Sequence, residues 1–204
     1  MSGGSSGGED AGRRPAEPTE PTRRLFFALW PDEAMQQELA HAARKIVRAS
    51  GGRPVPARNL HVTLAFLGSV AESRLPVVRA VAARVAAGIA RSAGSVSLTL
   101  DRVQHWARPR ILCATTEVEP VAAAALAQAL KLQLSGAGLT PDLRPFRAHV
   151  TLARKVNRYS RELSLPPVTW TFGSFSLVDS RTDPEGSLYS VLDSWPLDGS
   201  RQNP

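Results

Sequence analysis

The tetrapeptide His-Val-Thr-Leu occurs twice in this 204-residue chain, as His61-Val62-Thr63-Leu64 and as His149-Val150-Thr151-Leu152, with starts 88 residues apart. Each copy lies in a short apolar run of the kind that forms a β-strand. Side chains alternate along a strand, so the His and Thr of each copy share one face. The surroundings repeat as well: in each half a strand and a helix come before the His-Val-Thr-Leu strand. Two like halves carrying the same strand suggest an old duplication. They predict a pseudo-twofold fold in which two His/Thr pairs converge on one cleft.

The rest of the pattern fills in that frame. The apolar run Arg24–Trp30 reads as a buried strand. Pro31-Asp32-Glu33 opens a helix with proline and acids in its first turn, and Gly51-Gly52 stops it. Met35, Leu39, Ala42 and Ile46 form its buried stripe. The first motif strand runs from Leu60 to Leu67 and is closed by Gly68. A helix follows near Arg74–Ala90, then strands at Ser95–Leu100 and Arg110–Thr116. Pro120 opens a third helix through Leu134, ended by Gly136 and Gly138. The second motif strand spans Phe146–Ala153, with further strands near Val168–Val178 and Leu188–Trp195. The uneven spacing of helices favours an α+β fold with antiparallel sheets over a doubly wound parallel sheet. Residues 1–22 are low-complexity and read as a disordered tail, 23–196 as a single bilobal domain, and 197–204 as a frayed end.

Composition sets the class of partner. Hydrophobic residues make up 43% and charged residues 21%, as in ordinary soluble domains. No apolar stretch has the length of a membrane span, and the N-terminus has no apolar signal core. The single Cys113 has no internal partner for a disulfide. A cytoplasmic, membrane-free monomer is the expectation. Net charge is +7, residues 1–22 are acidic by 2, and the remainder therefore carries +9. Between Arg144 and Arg161 lie six basic residues (Arg144, Arg147, Arg154, Lys155, Arg158, Arg161) and no acid. Such a body attracts polyanions and steers phosphate-bearing ligands.

Two imidazoles and two hydroxyls in one cleft suit acid–base chemistry on a phosphate ester. Imidazole titrates near neutrality, so one His can take a proton from a nucleophile while the other gives one to the departing oxygen. Thr63 and Thr151 can donate to the non-bridging phosphate oxygens, with nearby cations adding charge stabilisation. Which His is the base and which the acid is not readable from the pair itself. An ideal strand turns Arg154 away from His149 and Thr151, so Arg154 needs a bulge or a strand end to reach the cleft. Neither motif carries a second metal ligand at short spacing, which speaks against a metal centre and for no cofactor. One isolated His-x-Thr would read more readily as a packed core residue. The agreement of two copies at like places shifts the balance. His41 falls off its helix stripe and faces solvent, His105 lies beside Trp106 in a turn-like segment, and Cys113 reads as core. Phe26 and Phe27 read first as core, although one face of that strand could line the cleft and stack a base.

These residues resemble the two-histidine (2H) phosphoesterases, specifically the bacterial and archaeal RNA 2′,3′-cyclic phosphodiesterases, also called 2′–5′ RNA ligases. The likeness rests on the two His-x-Thr-x motifs and on flanks such as Arg24-Leu25-Phe26-Phe27-Ala28, Asn59–Gly68, Arg108–Leu112 and Pro145–Arg154, and it spans about residues 23–195. It implies a bilobal α+β fold with a cleft between two antiparallel sheets and helices outside. It implies metal-independent hydrolysis of RNA 2′,3′-cyclic phosphate ends, tRNA fragments among them, to 2′-phosphomonoesters, with reversible 2′–5′ ligation as a minor direction. By the match, His149 is the base and His61 the acid, Thr63, Thr151 and Arg154 bind phosphate, and Phe26 or Phe27 stacks on the terminal base. Ala148 departs from the proline often found there. Alternatives are a related enzyme acting on small cyclic nucleotides, ADP-ribose cyclic phosphate or 2′–5′ oligonucleotides, and a non-catalytic module that binds RNA ends.

Overall fold

The computed structural model describes residues 20–89, 94–157, 164–183 and 186–198. Its strands are β1 (Thr22–Leu29), β2 (Arg53–Pro54), β3 (Val62–Ala71), β4 (Val96–Leu100), β5 (Arg102–Trp106), β6 (Ile111–Thr115), β7 (His149–Arg154), β8 (Val168–Phe172), β9 (Ser174–Asp183) and β10 (Gly186–Pro196). Its long helices are α1 (Glu33–Ser50), α2 (Leu75–Ile89) and α3 (Val121–Gly136). The strands form a sheet of order β10-β9-β1-β3, a second of order β2-β7-β6-β5, and a small pair β4-β8. Every pairing is antiparallel, which makes the fold α+β, as the helix spacing predicts.

The like halves are visible in the ladders. β1, α1 and β3 form one unit whose strands are neighbours, and β6, α3 and β7 form the other. Each helix crosses over to the opposite unit. α1 packs against β7 and β8, whereas α3 packs against β3 and β4. β2 comes from the first half but pairs with β7 of the second, through Arg53↔Arg154 and Pro54↔Ala153. One apolar cluster therefore runs through both halves, from Leu25, Phe27 and Leu29 to Leu126, Val150 and Trp170.

Local chemistry explains the elements. The Asp32 carboxylate caps α1 by accepting from the Met35 N–H at 2.8 Å, and Gly51 at φ 62° closes its other end. β1 is central in its sheet, and its alternation sorts two surfaces. Leu25, Phe27 and Leu29 join the main core, while Phe26 and Ala28 join a small cluster with Val178 on the opposite face.

Several expected boundaries need correction. Order reaches back to Glu20: Thr22 pairs with Ala71, the Glu72 N–H donates to the Pro21 carbonyl at 3.0 Å, and the Ser73 N–H donates to the Glu20 carboxylate at 2.9 Å. The expected tail is therefore shorter at its inner end, and residues 1–19 lie outside the described residues. At the other end Leu197 is buried and donates to the Gly173 carbonyl at 2.8 Å, so it belongs to the body. Residues 199–204 lie outside the description. Gly68 does not close the first motif strand. Its φ of 73° absorbs a ladder irregularity, after which β3 pairs on to Ala71. The apolar run 168–178 is two strands: it leaves β4 at Gly173 and joins β1 and β10. His105 and Trp106 lie in β5 and not in a turn. β5 is an edge strand without a fully buried residue, so it lacks the apolar alternation that marks a strand. Among the described residues no helix is long and apolar enough to cross a membrane.

Candidate active site

The two motif strands line one cavity of about 690 Å³ between the large sheets, and His61, Thr63, His149, Thr151 and Arg154 are all on its wall. The local device that places them is the same in both copies. Partners along β1 and β3 run Phe27↔Ala65 and then Ala28↔Thr63, leaving Leu64 as an extra residue. Partners along β6 and β7 run Cys113↔Thr151 and then Leu112↔Ala153, leaving Leu152 extra. Each motif thus carries a bulge at its fourth residue. A bulge shifts the alternation by one, so the residue three places after each Thr returns to the cleft face. After Thr63 that residue is Phe66, and after Thr151 it is Arg154. This is the bulge that Arg154 requires.

The imidazoles are latched alike. His61 Nδ1 lies 2.7 Å from the Asn59 carbonyl, and His149 Nδ1 lies 2.8 Å from the Arg147 carbonyl. A carbonyl only accepts, so each Nδ1 carries the proton and donates it. Each Nε2 is then the nitrogen offered to a ligand, ready to accept a proton while the ring is neutral.

Their surroundings differ. His61 is packed among Phe26, Trp30 and Tyr189, with ring centroids 5.0, 5.1 and 5.2 Å away. Trp30 is stacked nearly parallel on it, at 14°. Burial pushes the His61 imidazole down to about 4, against the opposing pull of the Asn59 carbonyl, and the positive charges of His149 and Arg154 lower it further. Burial lowers His149 as well, opposed by the Arg147 carbonyl. Trp106 lies against the His149 ring at 4.7 Å. Cys113 sits behind Thr151 and shares a hydrogen bond with its hydroxyl. Burial pushes the Cys113 thiol up to about 12, so it stays protonated and is a core residue, as expected.

The remaining candidates separate cleanly. Phe26 lines the cavity and touches His61. Phe27 turns to the other face of β1, fully buried against Phe175 and Trp195. The expectation that it stacks a base is corrected: strand alternation gives the cleft only one of the two rings. His41 is exposed, as its helix position predicts. Of the basic run, Arg154 reaches the cleft, Arg144 is occupied by Asp142 on an exposed turn, and Arg158 and Arg161 lie outside the described residues. Other arginines reach the cavity instead: Arg24, Arg53 and Arg58. Arg24 lies over the Phe66 ring, 5.0 Å from its centroid. Sequence reasoning missed Arg53, Arg58, Trp30, Trp106 and Tyr189. The first two stand just ahead of a motif, the one signal that could have found them. Among the described residues no three His, Cys, Asp or Glu side chains cluster as metal ligands.

The chain resembles known proteins in both sequence and fold. The chain is 32% identical to an RNA 2′,3′-cyclic phosphodiesterase of Escherichia coli strain K12, covering 86% of this chain and 97% of that one. It is 33% identical to one from Thermus thermophilus, covering 86% and 91%. The crystal structure of E. coli LigT complexed with 3′-AMP superposes with a TM-score of 0.73 at 30% identity, covering 87% of this chain and 99% of that one. A further crystal structure of a phosphoesterase gives 0.77 at 28% identity, covering 87% and 99%. The profile of the 2′-5′ RNA ligase superfamily matches residues 31–184. With three quarters of its length matched and both His-x-Thr pairs meeting in one cleft, the chain belongs to the 2′–5′ RNA ligase superfamily, the two-histidine phosphoesterases.

Proposed function

We propose that the cleft hydrolyses RNA 2′,3′-cyclic phosphate ends to 2′-phosphomonoesters by acid–base catalysis between His61 and His149. The observation that carries this reading is the paired latch. Two imidazoles, each held through Nδ1 by a backbone carbonyl, offer two Nε2 atoms to one cavity that also holds both threonine hydroxyls. In the reaction one Nε2 takes a proton from water as its oxygen bonds to phosphorus. The P–O3′ bond breaks, and the other ring gives its proton to the departing 3′ oxygen. Thr63, Thr151 and Arg154 hold the non-bridging oxygens as negative charge builds there. Phe26 or Phe66 offers a ring face to the terminal base. A 690 Å³ cavity walled by Arg24, Arg53, Arg58 and Arg154 suits the end of a polyanionic strand better than a lone cyclic nucleotide.

The resemblance makes His149 the base and His61 the acid. Trp30 supports this, because its π face favours a charged imidazolium at His61. The reverse assignment is supported by burial, which holds His61 neutral below the ordinary imidazole range. Purified protein in EDTA, offered an RNA with a 2′,3′-cyclic phosphate end, should release a 2′-monophosphate. His61→Ala and His149→Ala should each lose about 10²–10⁴-fold in kcat. A p-nitrophenyl phosphodiester needs no acid to expel its leaving group, so it should rescue the variant lacking the acid and not the one lacking the base. Full turnover by both variants on RNA ends would remove the two-histidine reading.

A further inference from the structure

Gln36 lies in the first turns of α1 and is 5% exposed, a buried polar side chain outside both motifs. Its amide nitrogen donates to the Arg58 carbonyl at 3.2 Å and to the Leu60 carbonyl at 3.4 Å. Those carbonyls flank the Asn59 carbonyl, the one that receives His61 Nδ1–H. The turn carrying them is a single 3₁₀ turn, Ala57–Asn59. It is tied by the Asn59 N–H to the Pro56 carbonyl and the Leu60 N–H to the Ala57 carbonyl, each at 2.9 Å. Asn59 adds a bond from its own amide to the Ser187 carbonyl at 3.0 Å. Both neighbouring carbonyls accept from Gln36, and the Asn59 carbonyl between them accepts from the imidazole. The Asp32 cap fixes the turn of α1 on which Gln36 stands, and the Gln36 N–H closes that turn on the Asp32 carbonyl at 3.0 Å.

We propose that Gln36 is a positioning residue for His61: it orients the Asn59 carbonyl, which sets the ring's tautomer and the aim of its Nε2. The inference deepens the acid–base reading above and rests on it. A buried amide that met only packing needs would not have to reach two carbonyls on either side of the latch. Its loss removes a buried donor from both carbonyls, which loosens the hold on the Asn59 peptide between them.

The test is Gln36→Met, which keeps length and removes the donors, with Gln36→Glu as a second variant of the same shape should the first not fold. Both should lower kcat about 10–100-fold with KM within twofold, and move the pH limb assigned to His61. In ¹⁵N-labelled protein the His61 ring should lose its fixed Nδ1–H form, while His149 keeps its own. Trp170→Phe serves as control. It removes the bond from the Trp170 indole to the Met35 carbonyl, so it should destabilise the packing of α1 without moving the His61 limb. A fall in Tm with unchanged kcat, limb and ring signal would overturn the inference. Absence of turnover in the wild-type protein would count against the function and leave the ring signal to decide the role of Gln36.

Discussion

His61 and His149 share a sequence, a latch and a cleft, yet they meet water on different terms. Lowering from burial is large enough at His61 to bring it to about 4, and His149 is lowered to a lesser degree. The acid–base chemistry proposed for the cleft needs one proton on the pair. Raising the pH through about 4 removes the first proton, mainly from His61, and creates the one-proton state. Raising it through the pKa of His149 removes the second and ends that state. For free enzyme, kcat/KM should therefore rise through about 4 and fall below the pKa of an ordinary imidazole. A bound phosphate anion favours the protonated rings, so the kcat profile should lie at higher pH than that of kcat/KM. Coincident profiles centred above neutrality would contradict the burial argument. At this scale the repeat made four residues legible: His61, Thr63, His149 and Thr151. It did not reveal Trp30, Tyr189 and Trp106, because these rings reach the histidines through strand pairings distant in sequence.

Elements aim what residues supply. Arg154 follows His149 by five, a spacing that points it away from the cleft on a regular strand, and only the bulge at Leu152 brings it back. No glycine or proline marks either bulge, so the pattern of apolar residues gave no sign of them. The edge strand β5 was hidden for a related reason, since a strand with neither face buried has no apolar alternation to show. The bulged strand is braced from outside by the close approach of Gly52. A Cβ there would lie 2.7 Å from Val156 Cγ2 and 2.9 Å from the Arg154 carbonyl. Gly52→Ala must push β2 off β7 and drag the Arg53↔Arg154 pair apart. We expect a loss of about 1–3 kcal/mol in urea unfolding. KM for RNA ends should rise more than kcat falls, because Arg154, the arginine proposed to hold the phosphate, moves while the histidine latch stays.

The whole molecule is less divisible than the term bilobal suggests. The three long helices and the strands β1, β3, β4, β6, β7 and β10 were readable in order, while β2 and β5 were missed and β8 and β9 were read as one run. The exchange of α1 and α3 between the two units was not readable, since nothing in a helix stripe names its partner sheet. With β2 laced into the opposite sheet and one core shared, unfolding should be a single transition, by fluorescence and by far-UV circular dichroism alike. The halves expressed separately, cut near residue 108, should each fail to show cooperative unfolding. Charge belongs to this scale too. The +9 body predicts that kcat/KM on an RNA end falls steeply with salt, while that on a small cyclic nucleotide changes little. The matched bulges carry one more consequence. Two identical acid–base groups related by a dyad have no handedness, and a ligand could enter between them either way round. Direction has to come from whatever breaks the dyad, and the bulges deliver just that: an apolar ring from one side, a guanidinium from the other. We expect the choice of which ester bond is cut to depend on Phe66 and Arg154, two residues outside the repeated tetrapeptide, alongside the unequal ring packing around the two histidines.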